Sequence, residues 1–184
     1  MPKKTEAEML ANQWDAEVMD VDPEMLDRVV LYEKDPEISA GIITFNYPEK
    51  LNALPIAALE RVGDLVREAE TDDDVKTIIF RGEGPCFGTG AVAEELGHYI
   101  GHKKPVDGQR PKPPAQRQRI LPDRNIVLGA FTAAVQNCLK VTICQVHGYC
   151  YGGHMQIALA SDMIIASPDA QFTHPAFRYL GAGP

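Results

Sequence analysis

Gly148-Tyr149-Cys150-Tyr151-Gly152-Gly153-His154 follows a β-branched run, Val141 to Val146, and leads into an apolar, helix-forming stretch that ends at Ala160. A strand, a glycine pair and a helix in that order aim backbone N–H groups at a negative or developing oxyanion. Glycine allows the close approach because no Cβ stands in the way. The chemistry such a turn serves is the stabilisation of charge on a carbonyl oxygen. Cys144, His147, Cys150 and His154 are zinc-ligand types at short spacing. Cys144, however, falls inside the strand, and the turn between the others is accounted for by the glycine pair, so no metal site is assigned. His98, His154 and His174 are the groups that can move protons near neutral pH.

The elements that would position these residues read as α/β. Val29 to Tyr32 and Ile42 to Phe45 are strands joined through the turn-formers Asp35-Pro36-Glu37 and Ala40-Gly41. Leu54, Ala58, Val62, Leu65, Val66 and Ala69 recur at helical spacing, with Pro55 in the first turn. Thr71-Asp72-Asp73-Asp74 ends that helix, and Thr77 to Phe80 is a buried strand. Repeated strand–helix units predict parallel strands with helical crossovers. Asn125 to Leu139 is an amphipathic helix, carrying Ile126, Leu128, Phe131, Val135 and Leu139. Met163 to Ala166 is a strand, followed by the turn Ser167-Pro168-Asp169.

Three blocks stand in order along the chain. They are Thr44-Phe45-Asn46-Tyr47-Pro48-Glu49-Lys50-Leu51-Asn52-Ala53-Leu54, then Phe87-Gly88-Thr89-Gly90-Ala91, then the glycine turn closing on Ser161-Asp162. Together they resemble the enoyl-CoA hydratase/isomerase (crotonase) superfamily. Its members carry Asn-Arg-Pro-x-x-x-Asn-Ala-Leu, Phe-Ser-x-Gly-Ala-Asp and Gly-Tyr/Phe-x-x-Gly-Gly-Gly blocks. The resemblance spans about residues 29 to 184 and implies a ββα spiral. It also implies that the N–H groups of Ala91 and Gly153 hold the thioester oxygen of an acyl-CoA. Lys50, Leu51, Ala53, Thr89, Gly90, Ala91 and Gly152 would line the coenzyme A thioester. Coenzyme A enters only as part of the substrate; no prosthetic group is implied.

The catalytic pattern departs from that of the hydratases. Their first glutamate lies three residues after the middle glycine, where this chain has Gln156, and their second follows the strand proline, where it has Ala176. An amide and a methyl do not exchange protons at neutral pH. Val92 replaces the aspartate after the oxyanion alanine. His174, two residues before Ala176, faces the same side in extended chain and is the first candidate acid–base group. His154, in the third-glycine position, is the second, with Gln156 as a polar binder of substrate. The expected activity is therefore lyase, isomerase or hydrolase chemistry on a bulky acyl-CoA, not ordinary hydration. The alternative is a non-catalytic acyl-CoA-binding or partner-binding subunit.

Composition bounds the rest. With 18 Lys+Arg against 26 Asp+Glu, a net charge of −8 argues against nucleic-acid binding. No apolar run reaches a membrane span, and Met1 to Glu6 lacks the apolar core of a signal peptide. Cysteines at 86, 138, 144 and 150 form no disulfide framework, which gives reduced thiols and a cytoplasmic protein. Residues 1–28 read as an acidic N-terminal helical extension, ahead of a core over 29–184. The core is interrupted at 101–124 by a basic, proline-rich insertion. That insertion is either a cover whose Lys and Arg meet coenzyme A phosphates or a solvated segment packed on another subunit. The resemblance implies a C-terminal helical region that would follow Pro184, so the chain is expected to be either truncated or unusually short. A homo-oligomer, trimer or hexamer, is expected from the resemblance, the N-terminal helix and the insertion.

Overall fold

Ala40-Gly41-Ile42-Ile43-Thr44-Phe45 offers no polar face to water, and it becomes a strand buried along its whole length. The computed structural model describes residues 21–92 and 130–175. In it this strand, β2 (Ala40–Phe45), pairs antiparallel with β1 (Val30–Asp35). Three further strands then run parallel to β2: β3 (Thr77–Gly82), β4 (Val141–Val146) and β6 (Met163–Ala166). The order across the five-stranded sheet is β1-β2-β3-β4-β6. The hairpin at the start and the parallel crossovers after it are those expected from the strand–helix alternation, except that the turn falls at 36–39 and Ala40-Gly41, read as turn residues, belong to β2.

Helix α2 (Ile56–Thr71) makes the first crossover, with Ala58, Leu59, Val62, Leu65, Val66 and Ala69 buried at the 3.6-residue period. It packs against α3 (Ala130–Gln136), which ends short of the Leu139 expected to close it; Leu139 lies in the following loop and is exposed. Gly63 permits this approach, since a Cβ there would stand 3.1 Å from Phe131 Cα. The far end of α2 is closed by the loop before β4. Lys140 Nζ donates to the carbonyls of Ala69 and Asp72, and the Leu139 N–H donates to Glu70 Oε1 at 2.7 Å. Carbonyls at the C-terminal end of the helix are thus met by a cation, and the Glu70 carboxylate holds the loop.

At the N-terminal end, α1 (Pro23–Val29) is capped by Asp22, whose Oδ1 accepts from the Glu24 N–H at 3.0 Å. The rest of the expected N-terminal extension, the segment after Val92 including His98, the basic insertion and Ala176 lie outside the described residues. Among the described residues no helix is long and apolar enough to cross a membrane.

One feature differs from expectation. Residues 149–151 are not simply turn: β5 (Tyr149–Tyr151) pairs parallel with β7 (Gln171–Thr173) in a separate two-stranded sheet. Three residues are too few to carry a readable period, and the partner lies across helix α4 (Gly153–Ala160) and β6. Asp162, after α4, is tied to the start of β4. Thr142 donates through its N–H and Oγ1 to Asp162 Oδ2 at 2.8 and 2.9 Å, and the Asp162 N–H donates back to Thr142 Oγ1.

The loop after β2 is held by one buried amide. Asn52 is fully buried with φ 54°. Its Oδ1 accepts from the Tyr47 N–H at 2.7 Å, and its Nδ2 donates to the carbonyls of Glu83 and Cys86, each at 2.9 Å. Asparagine tolerates the left-handed conformation better than most residues. Asn52→Ala would orphan the buried Cys86 carbonyl, at about 1–3 kcal/mol, and the part-buried Tyr47 N–H and Glu83 carbonyl at less. Urea denaturation of that variant should record a loss of about 2–3 kcal/mol. A loss below ~1 kcal/mol would mean that the loop is held by other contacts.

Candidate active site

After β3 the chain turns through Gly84 and re-enters the molecule as Phe87 to Val92, threaded between the loop after β2 and strand β5. On one side the Phe87 and Gly88 N–H groups donate to the carbonyls of His147 and Tyr149, each at 2.8 Å, and the Tyr151 N–H donates to the Gly88 carbonyl. On the other, Leu54 N–H donates to the Gly90 carbonyl and Val92 N–H to the Leu54 carbonyl, each at 2.9 Å. Thr89 Oγ1 donates to the Leu51 carbonyl at 3.1 Å. Asn52, which holds Cys86 from the same loop, completes the anchorage.

This threading lays two glycine turns against each other. Gly90 has φ 95° and Gly152 has φ 54°, both in the region that side chains with a Cβ avoid. A Cβ on Gly90 would lie 3.1 Å from Gly153 N and 3.2 Å from Gly152 Cα. Ala91 therefore follows one glycine, and Gly153, the first residue of α4, follows the other across the same contact. Among the described residues neither the Ala91 N–H nor the Gly153 N–H has a hydrogen-bond acceptor. The helix adds the partial positive charge of its N-terminus.

The expected acid–base positions divide. Gln156 and His174 come together: Gln156 Nε2 lies 3.3 Å from His174 Nε2, and both residues are half-buried. The contact follows from β7, whose Thr173 carbonyl accepts from the Gly152 N–H and so brings His174 beside the first turn of α4. Gln156 Oε1 is buried with no partner among the described residues. Rotation of the amide would present Oε1 to a protonated His174 nitrogen, so the pair accommodates either tautomer.

His154 goes elsewhere. Its ring is fully buried, edge-on to Phe45 at 4.4 Å and to Phe87 at 5.8 Å between centroids. Its Nδ1 accepts from the Gly90 N–H at 3.0 Å, which places the ring proton on Nε2. Desolvation pushes its pKa down to about 3, so the imidazole stays neutral. This placement suits holding backbone more than exchanging protons with a substrate. Lys50 and Leu51 are exposed at the rim of the loop, and Ala53 is half-buried behind them.

The zinc-like set does not assemble. His147 Nε2 bonds the Gly84 carbonyl at 2.9 Å, His154 is turned to Gly90, and burial pushes the Cys144 and Cys150 thiols up to about 12. Among the described residues no three His, Cys, Asp or Glu side chains gather to hold a metal. Two residues that sequence reasoning passed over matter to the geometry: Asn52 and Gly88. Asn52 was visible as a polar residue within a matched block. Gly88 was visible only as a glycine where the family block has serine.

Comparison with known proteins places the chain. Residues 40–179 match the enoyl-CoA hydratase/isomerase family, and the chain belongs to that family. A (7aS)-7a-methyl-1,5-dioxo-2,3,5,6,7,7a-hexahydro-1H-indene-carboxyl-CoA hydrolase of Mycobacterium tuberculosis is 31% identical over 76% of this chain and 50% of its own length. Among solved structures, an enoyl-CoA hydratase/isomerase from Xanthobacter autotrophicus superposes with a TM-score of 0.65 at 31% identity, covering 84% of this chain and 51% of that one. An enoyl-CoA hydratase from Mycobacterium smegmatis gives 0.62 at 28%, covering 86% and 53%. The fold is thus the mixed α/β crotonase fold. The chain spans about half the length of the curated relatives it matches.

The buried neutral imidazole predicts a pH dependence of stability. With a folded pKa depressed to about 3 from 6.5, the unfolded chain takes up the proton first as pH falls. The contribution is therefore complete above pH 6.5 and is lost as pH drops towards about 3. Across that whole window it is on the order of 5 kcal/mol. Unfolding free energies measured from pH 7 downwards should fall more steeply for the wild type than for His154→Asn. Equal slopes would contradict a neutral, buried His154.

Proposed function

We propose that this protein acts on an acyl-CoA thioester, whose carbonyl oxygen is held by the N–H groups of Ala91 and Gly153. The observation that carries this reading is the contact of the two glycine turns, with both following N–H groups lacking an acceptor among the described residues. Charge that develops on a thioester oxygen, as enolate or tetrahedral adduct, would be stabilised there without reorganisation. Thr89, Gly90 and Gly152 shape the slot, and Lys50, Leu51 and Ala53 form the rim along which coenzyme A would lie.

His174 is the acid–base group in this reading, oriented by Gln156. A single imidazole beside an amide differs as an acid–base device from two carboxylates working together on a water and an α-carbon. The reaction is accordingly hydrolytic, lyase or isomerase chemistry on a bulky or functionalised acyl group. A relative named as a hydrolase of a bicyclic carboxyl-CoA supports that substrate class. The amide at Gln156 also favours a second reading, a subunit that binds acyl-CoA without turnover. Product formation across a panel of acyl-CoAs separates the two. We further propose a homo-oligomer, trimer or hexamer: Met163, Ile164 and Ile165 of β6 are exposed, and sedimentation tests whether a second copy covers them.

One test removes a donor. Proline is well accommodated at the first position of a helix, so Gly153→Pro deletes the N–H, and its ring carbon takes the place of the amide hydrogen. Turnover of the acyl-CoA that the panel identifies should fall by at least roughly a hundred-fold. Thermal protection by that thioester should weaken with it. An unchanged rate in a folded variant would remove Gly153 from the mechanism.

A further inference from the structure

The third position of the glycine turn carries a buried imidazole, and its surroundings explain how the chain accommodates it. His154 sits in the first turn of α4 and reaches across to the other block, 64 residues away in sequence, where Nδ1 accepts the Gly90 N–H at 3.0 Å. Gly90 has φ 95° and immediately precedes Ala91. The Gly90 N–H lies on the peptide before Gly90, while the peptide carrying the Ala91 N–H is held through its own carbonyl by the Leu54 N–H at 2.9 Å, so His154 and Leu54 together fix both sides of the Gly90 hinge.

The ring occupies space that a side chain at position 88 would otherwise fill. A Cβ added at Gly88 would lie 2.2 Å from His154 Cδ2 and 2.3 Å from Nε2, both far inside van der Waals contact. Gly88 has no left-handed φ, so its glycine is needed for room and not for conformation. Phe45 and Phe87 pack edge-on against the ring, at 4.4 and 5.8 Å between centroids.

We propose that His154 is a positioning residue of the oxyanion pocket, clamping Gly90 so that the Ala91 N–H is aimed, and that Gly88 is its steric complement. The clamp acts through backbone and touches no substrate. Its role rests on the reading of Ala91 and Gly153 as oxyanion donors.

Two measurements on the full chain test this. The first is a stability cycle. Gly88→Ala should lower the melting temperature sharply beside His154 and only slightly when combined with His154→Gly, which empties the same space. Additive effects would overturn the steric pairing. The second is isotope-edited infrared spectroscopy of butyryl-CoA labelled at the thioester carbonyl. In the wild type the bound carbonyl stretch should move to lower frequency. His154→Leu, folded by near-ultraviolet circular dichroism and still binding, should lose most of that shift. His154→Asn, whose Oδ1 can accept the same N–H, should keep most of it.

A shift retained in full by His154→Leu would overturn the positioning role and leave the oxyanion reading standing. An unshifted carbonyl in the wild type would instead sink the oxyanion reading, and the positioning role with it.

Discussion

The contact between the Gly90 and Gly152 turns is the constraint on which the site depends. Each turn sits at a positive φ, and each backbone lies where a Cβ on the other residue would intrude. Neither turn makes that contact through its own sequence. One is suspended from Leu51, Leu54 and the β5 backbone; the other is the entry to α4, pinned by Thr173. The sheet brings them together because β3 and β4 are parallel neighbours, so the loops after both emerge at the same end. Ligand sites at the carboxyl ends of parallel strands follow from the same geometry in other α/β folds.

Polar groups inside this region are placed where they satisfy backbone. Asn52 bonds three main-chain groups from within the core, and His154 bonds a fourth. Burying an amide without partners would cost several kcal/mol; Asn52 avoids that through its three bonds, whereas the His154 ring is paired at Nδ1 and leaves Nε2 buried without a partner among the described residues. Irregular loops have no ladder of their own, and side chains supply what a strand or helix would. The price is rigidity of composition: a methyl at 52 or a methyl at 88 meets either an orphaned group or an occupied space.

Much of this was legible in sequence, and the remainder was hidden for a physical reason. Strand β4 and helix α4 match the apolar runs read for them, and α2 buries the residues that its period marks. The family match bears out the blocks around Asn52, Gly90 and Gly152. What local pattern did not carry was non-local pairing. The three-residue β5 exists through its partner β7, and His154 acquires its setting from Gly88, Gly90 and two phenylalanines in other segments. As an isolated histidine after two glycines it reads as a proton-transfer candidate. Only the buried ring and its accepted hydrogen bond assign it to the scaffold. His174 and Gln156 were each singled out, yet their contact depends on β7 lying beside α4.

The central claim is that two main-chain donors from different blocks share one acyl oxygen. The most direct measurement is a crystal structure with a bound acyl-CoA or a stable thioester analogue. The account predicts the carbonyl oxygen within about 3 Å of both Ala91 N and Gly153 N, with His174 on the acyl side of the carbon. A thioester carbonyl bound away from those two nitrogens would contradict it.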